Sequence, residues 1–388
     1  MRNRSKLAVA ALGAAALVGS TLGASAFATG GAESAAARAR KAPRLDHIFV
    51  IMLENHSKSS VIGDKNAPYM NKLANTYQMA DHYYGVTHPS MPNYIATISG
   101  SNWGIQDDNA QNIVHLSKRN LVDQLDYYNV PWAAYMEDLP KNKLALNGPT
   151  ITKDGKKVVE PLYAKKHNPF VLFRDVKQSP RRLKHIRDYS RMKADLNGKN
   201  APHFVWITPN QCNDMHGGVY DHVKGHPETP CPYGSKKDDA NDAALKAKAD
   251  AFVKQAVKTI RTSDAWTRKS AIIIVTDEND YTGNPNTGGW ENARGCCDSP
   301  YVERHDPRLT SHDSDGNVTG QWRGGKYGGG LIPAIIVSPQ APRHLVDHHK
   351  YNHYSLLTTI EDNWGFAHLG HAGDSRGNVH PMWKVFLG

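Results

Sequence analysis

His47-Ile48-Phe49-Val50-Ile51-Met52-Leu53 runs directly into Glu54-Asn55. From Ile48 the run is continuously apolar instead of alternating, as strands covered on both faces are. Residues 131–136, 203–208, 271–276 and 332–338 share this pattern and are read as further buried parallel strands. Helical stretches lie between them. The clearest covers residues 241–260, where Leu245, Ala249, Phe252, Val253, Ala256, Val257 and Ile260 form an apolar face and lysines cover another. A second is expected to begin near Tyr351, with Leu356, Leu357, Ile360 and Trp364 facing inward. Strands alternating with helices predict an α/β fold, a three-layer sandwich around a mostly parallel central sheet.

The chain has 388 residues, 47 Lys+Arg against 37 Asp+Glu, and a net charge of +10. With 39% hydrophobic and 22% charged residues it is neither a multi-span membrane protein nor a disordered polyampholyte. Arg2, Arg4 and Lys6 precede the apolar run of residues 7–22 and a small-x-small site at Ala24-Ser25-Ala26. Residues 1–26 are therefore expected to be a signal peptide, and the protein to be secreted with no transmembrane segment in the mature chain. Residues 27–43 read as a flexible spacer. Residues 44–388 read as a single domain with inserts near 138–199, dense in Lys and Arg, and 279–330, rich in Gly, Asn and Asp. The basic residues from Lys165 to Lys199 could contact an anionic surface, although such runs are usually solvated.

The four cysteines are Cys212, Cys231, Cys296 and Cys297. They suit an oxidising compartment, and no CxxC spacing favours a zinc site. A bond between neighbours strains the peptide joining them. Cys296 and Cys297 are thus not expected to pair with each other, whereas Cys212 and Cys231 are expected to be bridged, with that pair among the candidate partners and the connectivity left open.

The chemistry gathers after the strands. The first ends in Glu54-Asn55, the 203–208 strand leads to Asp214-Met215-His216, and the 271–276 strand to Asp277-Glu278. In a parallel sheet these ends share one edge, where open α/β sheets place their ligands. One such pair alone reads as a turn or cap. Three on one edge would repel one another unless a cation neutralised them, and carboxylate, amide and imidazole suit a divalent metal. Ser90, ahead of Met91-Pro92 and a helical stretch, is placed at a helix N-terminus, which favours an anion. There is no G-x-S-x-G elbow, P-loop or dinucleotide fingerprint.

Glu54-Asn55-His56-Ser57, HPSMPNY around Ser90, HNPF at 167–170, TPNQCNDMH at 208–216, VTDEND at 275–280 and YNHYSLLTTIED at 351–362 occur in this order. Together they resemble the secreted phosphoesterase family of bacterial and fungal acid phosphatases and phospholipases C. That family is similar in turn to the alkaline phosphatase superfamily, so the resemblance implies an alkaline-phosphatase-like sandwich. It implies Ser90 as nucleophile and Asn93 as a ligand of a phosphoryl oxygen. Glu54, Asn55, Ser90, Asp277 and Glu278 match metal-binding positions, so at least one divalent ion, of unassigned identity, is expected. Asp214, His216 and His353 could hold a second metal or bind phosphate. His167, His216 and His353 are the candidates for protonating the leaving group.

The implied activity is hydrolysis of phosphate monoesters through a phosphoserine, on a phosphorylated small molecule or phospholipid headgroup, with no nucleic-acid partner. The alternatives are a phospholipase C or phosphodiesterase, or a phosphoinositide phosphatase. From another class, a secreted polyanion-binding protein without turnover would use the basic surface but would have no need of the nucleophile.

Overall fold

The 47–53 run forms β1 (His47–Leu53), all seven residues buried. The computed structural model describes residues 43–111, 116–153, 156–218, 231, 240–279, 294–302, 310–312, 318–321, 325–326 and 328–387. The expected signal peptide, nearly all of the spacer and most of the 279–330 insert lie outside the described residues. Eight strands join β1 in one sheet: β2 (Gln78–Tyr84), β3 (Trp132–Met136), β4 (Ile186–Asp188), β5 (Phe204–Thr208), β6 (Ser270–Thr276), β7 (Leu331–Ile332), β8 (Ala334–Val337) and β9 (Leu345–Asn352).

β1 lies between β5 and β6, parallel to both. β3 continues the sheet beside β5, and β4 beside β3, in the same sense. On the other side β8 runs antiparallel to β6 and β2, β7 antiparallel to β2, and β9 parallel to β2. Only β7 and β8 therefore oppose the rest. The 332–338 run, expected as one more parallel strand, is reversed, because an apolar run reports burial on both faces and carries no direction. Pro333 splits it, since proline offers no N–H to the ladder.

β1 shows why there are three layers. Its residues Ile48, Val50 and Met52 join one core, with Tyr94, Ile95 and Ile98 of α2 (Ser90–Ser99), Leu121 and Leu125 of α3 (Leu121–Tyr127), and Leu356, Leu357 and Ile360 of α5 (His353–Trp364). Phe49, Ile51 and Leu53 point the other way, onto Met70 and Leu73 of α1 (Pro68–Thr76) and Val253, Val257 and Ile260 of α4 (Ala240–Arg261). Burying a branched or aromatic side chain on each face stabilises the strand by about 1.5–3 kcal/mol per residue. Among the described residues, no helix is long and apolar enough to cross a membrane.

Several sequence expectations need correction. Lys246, counted with the lysines covering the outer face of α4, is fully buried and lies 2.8 Å from Asp242 and 3.0 Å from Asp64. Asp242 in turn lies 2.7 Å from His56 Nε2, while His56 Nδ1 lies 3.0 Å from the Glu54 carbonyl oxygen. A buried chain of charge thus fastens the loop that follows β1. The 138–199 segment is not only decoration: β4 is an edge strand of the sheet, and Phe170, Val171, Leu172 and Phe173 enter the core. Its cations are partly spent, with Arg181 on Asp126, Arg182 on Asp123, Asp126 and Asp175, and Arg187 on Asp195. Cys212 is bridged to Cys231 as one permitted pairing. Cys296 and Cys297, expected not to pair, are bonded to each other. The left-handed backbone at Cys297 (φ 53°) lets the adjacent side chains face one another.

Gly100 ends α2 at φ 73°, and a Cβ there would run into the Leu369 carbonyl oxygen. Gly100→Ala should cost more than about 1 kcal/mol in urea unfolding. Lys246→Met should cost about 3–5 kcal/mol, because it removes the ammonium shared by the buried Asp242 and the half-buried Asp64. Burial alone would raise the Asp64 carboxyl, but bonds from the Asn66 N–H and Lys246 outweigh it and hold the group below its usual range. That contribution is complete above the unfolded value of about 3.9 and is lost as the pH falls through the lower folded one. Stability measured against pH should therefore flatten on the acid side in Lys246→Met.

Candidate active site

The carboxyl ends of β5, β1 and β6 are adjacent, and backbone bonds extend the pairing past the strands. The Glu54 N–H donates to the Asp214 carbonyl (2.7 Å), and the Asp277 N–H to the Leu53 carbonyl (3.0 Å). Glu54, Asp214, Asp277 and Glu278 are thereby brought together, all but excluded from water. Asn55 adopts a left-handed conformation (φ 48°), and its N–H donates to Asp277 Oδ1 at 2.9 Å. One turn thus links the ends of β1 and β6.

Ser90 is the first residue of α2, and its hydroxyl does not cap the helix. Its Oγ stands 2.9 Å from Glu54 Oε2 and 3.2 Å from Glu278 Oε1. A hydroxyl has one proton to give, so one carboxylate accepts it while the other faces the oxygen's lone pairs. The loop before Ser90 is held by Asn93. Its Oδ1 accepts from the Val86 and Thr87 N–H groups, and its Nδ2 donates to the Thr87 carbonyl at 2.7 Å. The same Nδ2 lies 3.3 Å from Glu278 Oε2. Expected as a phosphoryl ligand, Asn93 has its amide engaged in bracing this loop and Glu278. His88 Nδ1, at 2.7 Å, adds a further contact to Glu278 Oε2.

The histidines divide into two groups. His167 lies 3.3 Å from Glu54 Oε1 through Nε2 and 3.3 Å from Asp214 Oδ2 through Nδ1, with its ring stacked on Tyr94. His216 stands beside it, with Nε2 at 3.2 Å from the Lys166 ammonium and Nδ1 at 2.6 Å from the Gly217 carbonyl. His353, by contrast, spends both nitrogens on the scaffold: Nδ1 is 3.1 Å from the Tyr83 hydroxyl and Nε2 is 2.6 Å from the Asp277 carbonyl. It supports the turn carrying Asp277 from behind.

Charge is the dominant constraint. Burial, followed by the fields of Asp277 and Asp214, raises Glu54 well above the usual carboxyl range. Burial and Glu278 do the same to Asp277, and burial and Asp108 to Glu278. Burial also raises Asp214, against the His216 N–H that it accepts. The histidines shift the other way: burial, then the Lys166 charge, holds His167 far down and takes His216 to about 3. Burial, against the bond to the Asp277 carbonyl, takes His353 to about 4. Among the described residues Lys166 brings a positive charge to this cluster; burial pulls its pKa down, but Asp108 at 2.7 Å and the Glu54 field outweigh it and keep it raised.

A divalent ion fits these residues. The buried oxygens Glu54 Oε1, Asp214 Oδ2 and Asp277 Oδ2 accept no well-formed hydrogen bond among the described residues. One ligand atom each from Glu54, His167 and His216 falls within 4.8 Å of the others. This trio shares Glu54 with the expected set of Glu54, Asn55, Ser90, Asp277 and Glu278, and His216 with the expected second metal or phosphate set of Asp214, His216 and His353.

Sequence reading passed over His88, Asp108 and Lys166. His88 and Lys166 stand inside or beside quoted blocks, HPSMPNY and HNPF, so the signal lay in flanking positions read as context. Asp108 comes from a polar loop with no pattern to mark it.

The chain matches the profile of the Phosphoesterase family over residues 64–228 and 232–367. It is 24% identical over 332 residues to a probable acid phosphatase of Kluyveromyces lactis, covering 84% of this chain and 60% of that protein. It is 31% identical over 176 residues to a phosphatidylinositol-3-phosphatase of Mycobacterium tuberculosis, covering 45% of this chain and 53% of that protein. The chain thus matches little more than half the length of these two relatives. A solved structure of a Vibrio parahaemolyticus protein in the alkaline phosphatase superfamily aligns at a TM-score of 0.43 and 12% identity, over 84% of this chain and 68% of that one. The family profile covers most of the sequence, including Ser90, His167, Asp214, Asp277 and Glu278, and the chain belongs to the Phosphoesterase family.

Proposed function

We propose that the protein is a phosphatase that hydrolyses phosphate monoesters through a phosphoserine at Ser90. The observation that carries this reading is the Ser90 hydroxyl held between Glu54 and Glu278 at the N-terminus of α2. A carboxylate in that position takes the proton as the oxygen attacks, and the helix N–H groups favour the phosphoryl charge that arrives. The acid phosphatase and phosphatidylinositol-3-phosphatase named among the relatives support monoester chemistry.

In the first step the Ser90 Oγ–phosphorus bond forms and the bond from phosphorus to the leaving oxygen breaks. Ser90 gives its proton to whichever of Glu54 and Glu278 is ionised, and His167 or His216, which burial and Lys166 keep neutral until the substrate's negative charge arrives beside them, supplies one to the leaving oxygen. In the second step water attacks phosphorus, the Oγ–phosphorus bond breaks and Ser90 regains a proton. Lys166 offsets negative charge throughout, and Asn93 and His88 keep Glu278 aimed at Ser90. A divalent cation among Glu54, Asp277, Glu278 and the nearby histidines would lower the serine pKa and neutralise the carboxylates. Asn55, on the turn that follows β1, is the further candidate to add an amide oxygen to such an ion. The basic N-terminal segment and its apolar run support export.

Purified protein should hydrolyse p-nitrophenyl phosphate, lose that activity to a chelator and regain it with added divalent metal. Ser90→Ala should lower kcat by roughly a thousandfold or more while phosphate still binds. Undiminished turnover in that variant would remove Ser90 as nucleophile, and preference for bis-p-nitrophenyl phosphate would move the reaction to diesters. Asp277→Asn should abolish activity with loss of bound metal and an unchanged circular dichroism spectrum. In His216→Gln, slow turnover with full metal content assigns that ring to proton transfer, whereas loss of metal assigns it to the ion.

A further inference from the structure

Beside Lys166 opens a cleft of about 390 Å³, lined among others by Lys165, Lys166, Asp108, Asn109, Asn147 and Gln211. Lys166 joins it to the centre just described, since its ammonium contacts both Asp108 and His216. Asp108 joins it as well, since its Oδ1 accepts from the N–H of Met91, the residue after Ser90, at 2.9 Å. Its volume, toward the small end for ligand pockets, suits a sugar-sized group. The amides of Asn109, Asn147 and Gln211 suit hydroxyls.

The charges in the cleft do not balance. Asp108 answers Lys166 at 2.7 Å, but among the described residues no carboxylate pairs with Lys165, which also feels the like charge of Lys177. Lys165 is only half exposed, and its backbone is fixed by a bond from its N–H to the Leu146 carbonyl at 2.8 Å. A cation anchored at the wall of a polar cleft, without a counter-ion, is a ready partner for an anion.

We propose that this cleft is the leaving-group subsite and that Lys165 binds a second phosphate carried by the substrate, making polyol phosphates with two phosphate groups its preferred class. The assignment rests on the phosphatase reading for its reacting phosphate, while binding at Lys165 can be measured without turnover.

Fructose 1,6-bisphosphate and fructose 6-phosphate form one pair of probes for the wild type, Lys165→Gln and Lys165→Arg. Short-chain phosphatidylinositol 3-phosphate, whose headgroup carries a monoester and a diester phosphate, tests the lipid source of the same chemistry. Lys165→Gln should raise KM for the two-phosphate substrates about tenfold, the loss of one charge-assisted bond. Its kcat, and both constants for p-nitrophenyl phosphate and fructose 6-phosphate, should stay within about twofold, with Lys165→Arg close to wild type. An effect on only the soluble or only the lipid probe names the source. In a Ser90→Ala background, calorimetry should show fructose 1,6-bisphosphate binding more tightly than the monophosphate, with the difference lost on Lys165→Gln. Equal changes for one- and two-phosphate ligands, or no change in calorimetry, overturn the subsite. If p-nitrophenyl phosphate is hydrolysed while the Lys165 effect is missing, the subsite alone falls. If nothing is hydrolysed but the calorimetric difference appears, the phosphatase reading falls and the anion site stands.

Discussion

The repulsion among Glu54, Asp214, Asp277 and Glu278 is the constraint on which the rest of the structure depends. Each would be comfortable as a charged group in water, and none is in water. Two carboxylates brought together in a dry site cannot both ionise cheaply, and here there are four. The scaffold must hold them in place against that force and must offer something positive in their midst. Lys166 supplies part of the compensation, and the buried oxygens without good donors mark where more is needed.

The architecture meets this demand by rigidity. Glu54 follows the central strand, whose neighbours on both sides also deliver acidic groups, so three of the carboxylate-bearing turns are bonded to one another through the backbone. Beneath them lies a second set of constraints. His353 supports the Asp277 turn, His56 ties the Glu54 carbonyl to Asp242, and Lys246 neutralises Asp242 from inside α4. Buried pairs of this kind add little net stability over a hydrophobic replacement. Their visible effect is to fix where a backbone turn stands, and so where its carboxylate points.

Much of this was legible in the residues alone. β1, β3, β5 and β6 are continuous apolar runs because both faces are covered, and the carboxylates that follow three of them announced the shared edge. The helix over 240–261 declared itself through its apolar face. What escaped did so for physical reasons. β2 (QMADHYY) mixes buried with half-exposed positions and β9 (LVDHHKYN) buried with exposed ones, and β4 is three residues long, so none carries a periodicity. The reversal of β8 is invisible because hydrophobicity has no direction. In the centre itself, Glu54, Ser90, Asp277 and Glu278 were signalled by position after strands or before a helix. Lys246 could not be, because a lysine on a helix is read as solvated unless its two carboxylate partners, one of them 182 residues away, are known.

The adjacency of β5, β1 and β6 also bears on how the chain acquires its native state. The residues that meet, Glu54, Asp214 and Asp277, are separated by long stretches of sequence, and parallel neighbours can be joined only through crossovers. Contacts this non-local form slowly, because loop-closure entropy is spent before any pairing rewards it. The acidic groups therefore stay solvated and far apart through the early events of folding. Their mutual repulsion is met only when the middle of the sheet closes, and it then acts on a framework already zipped along the strands.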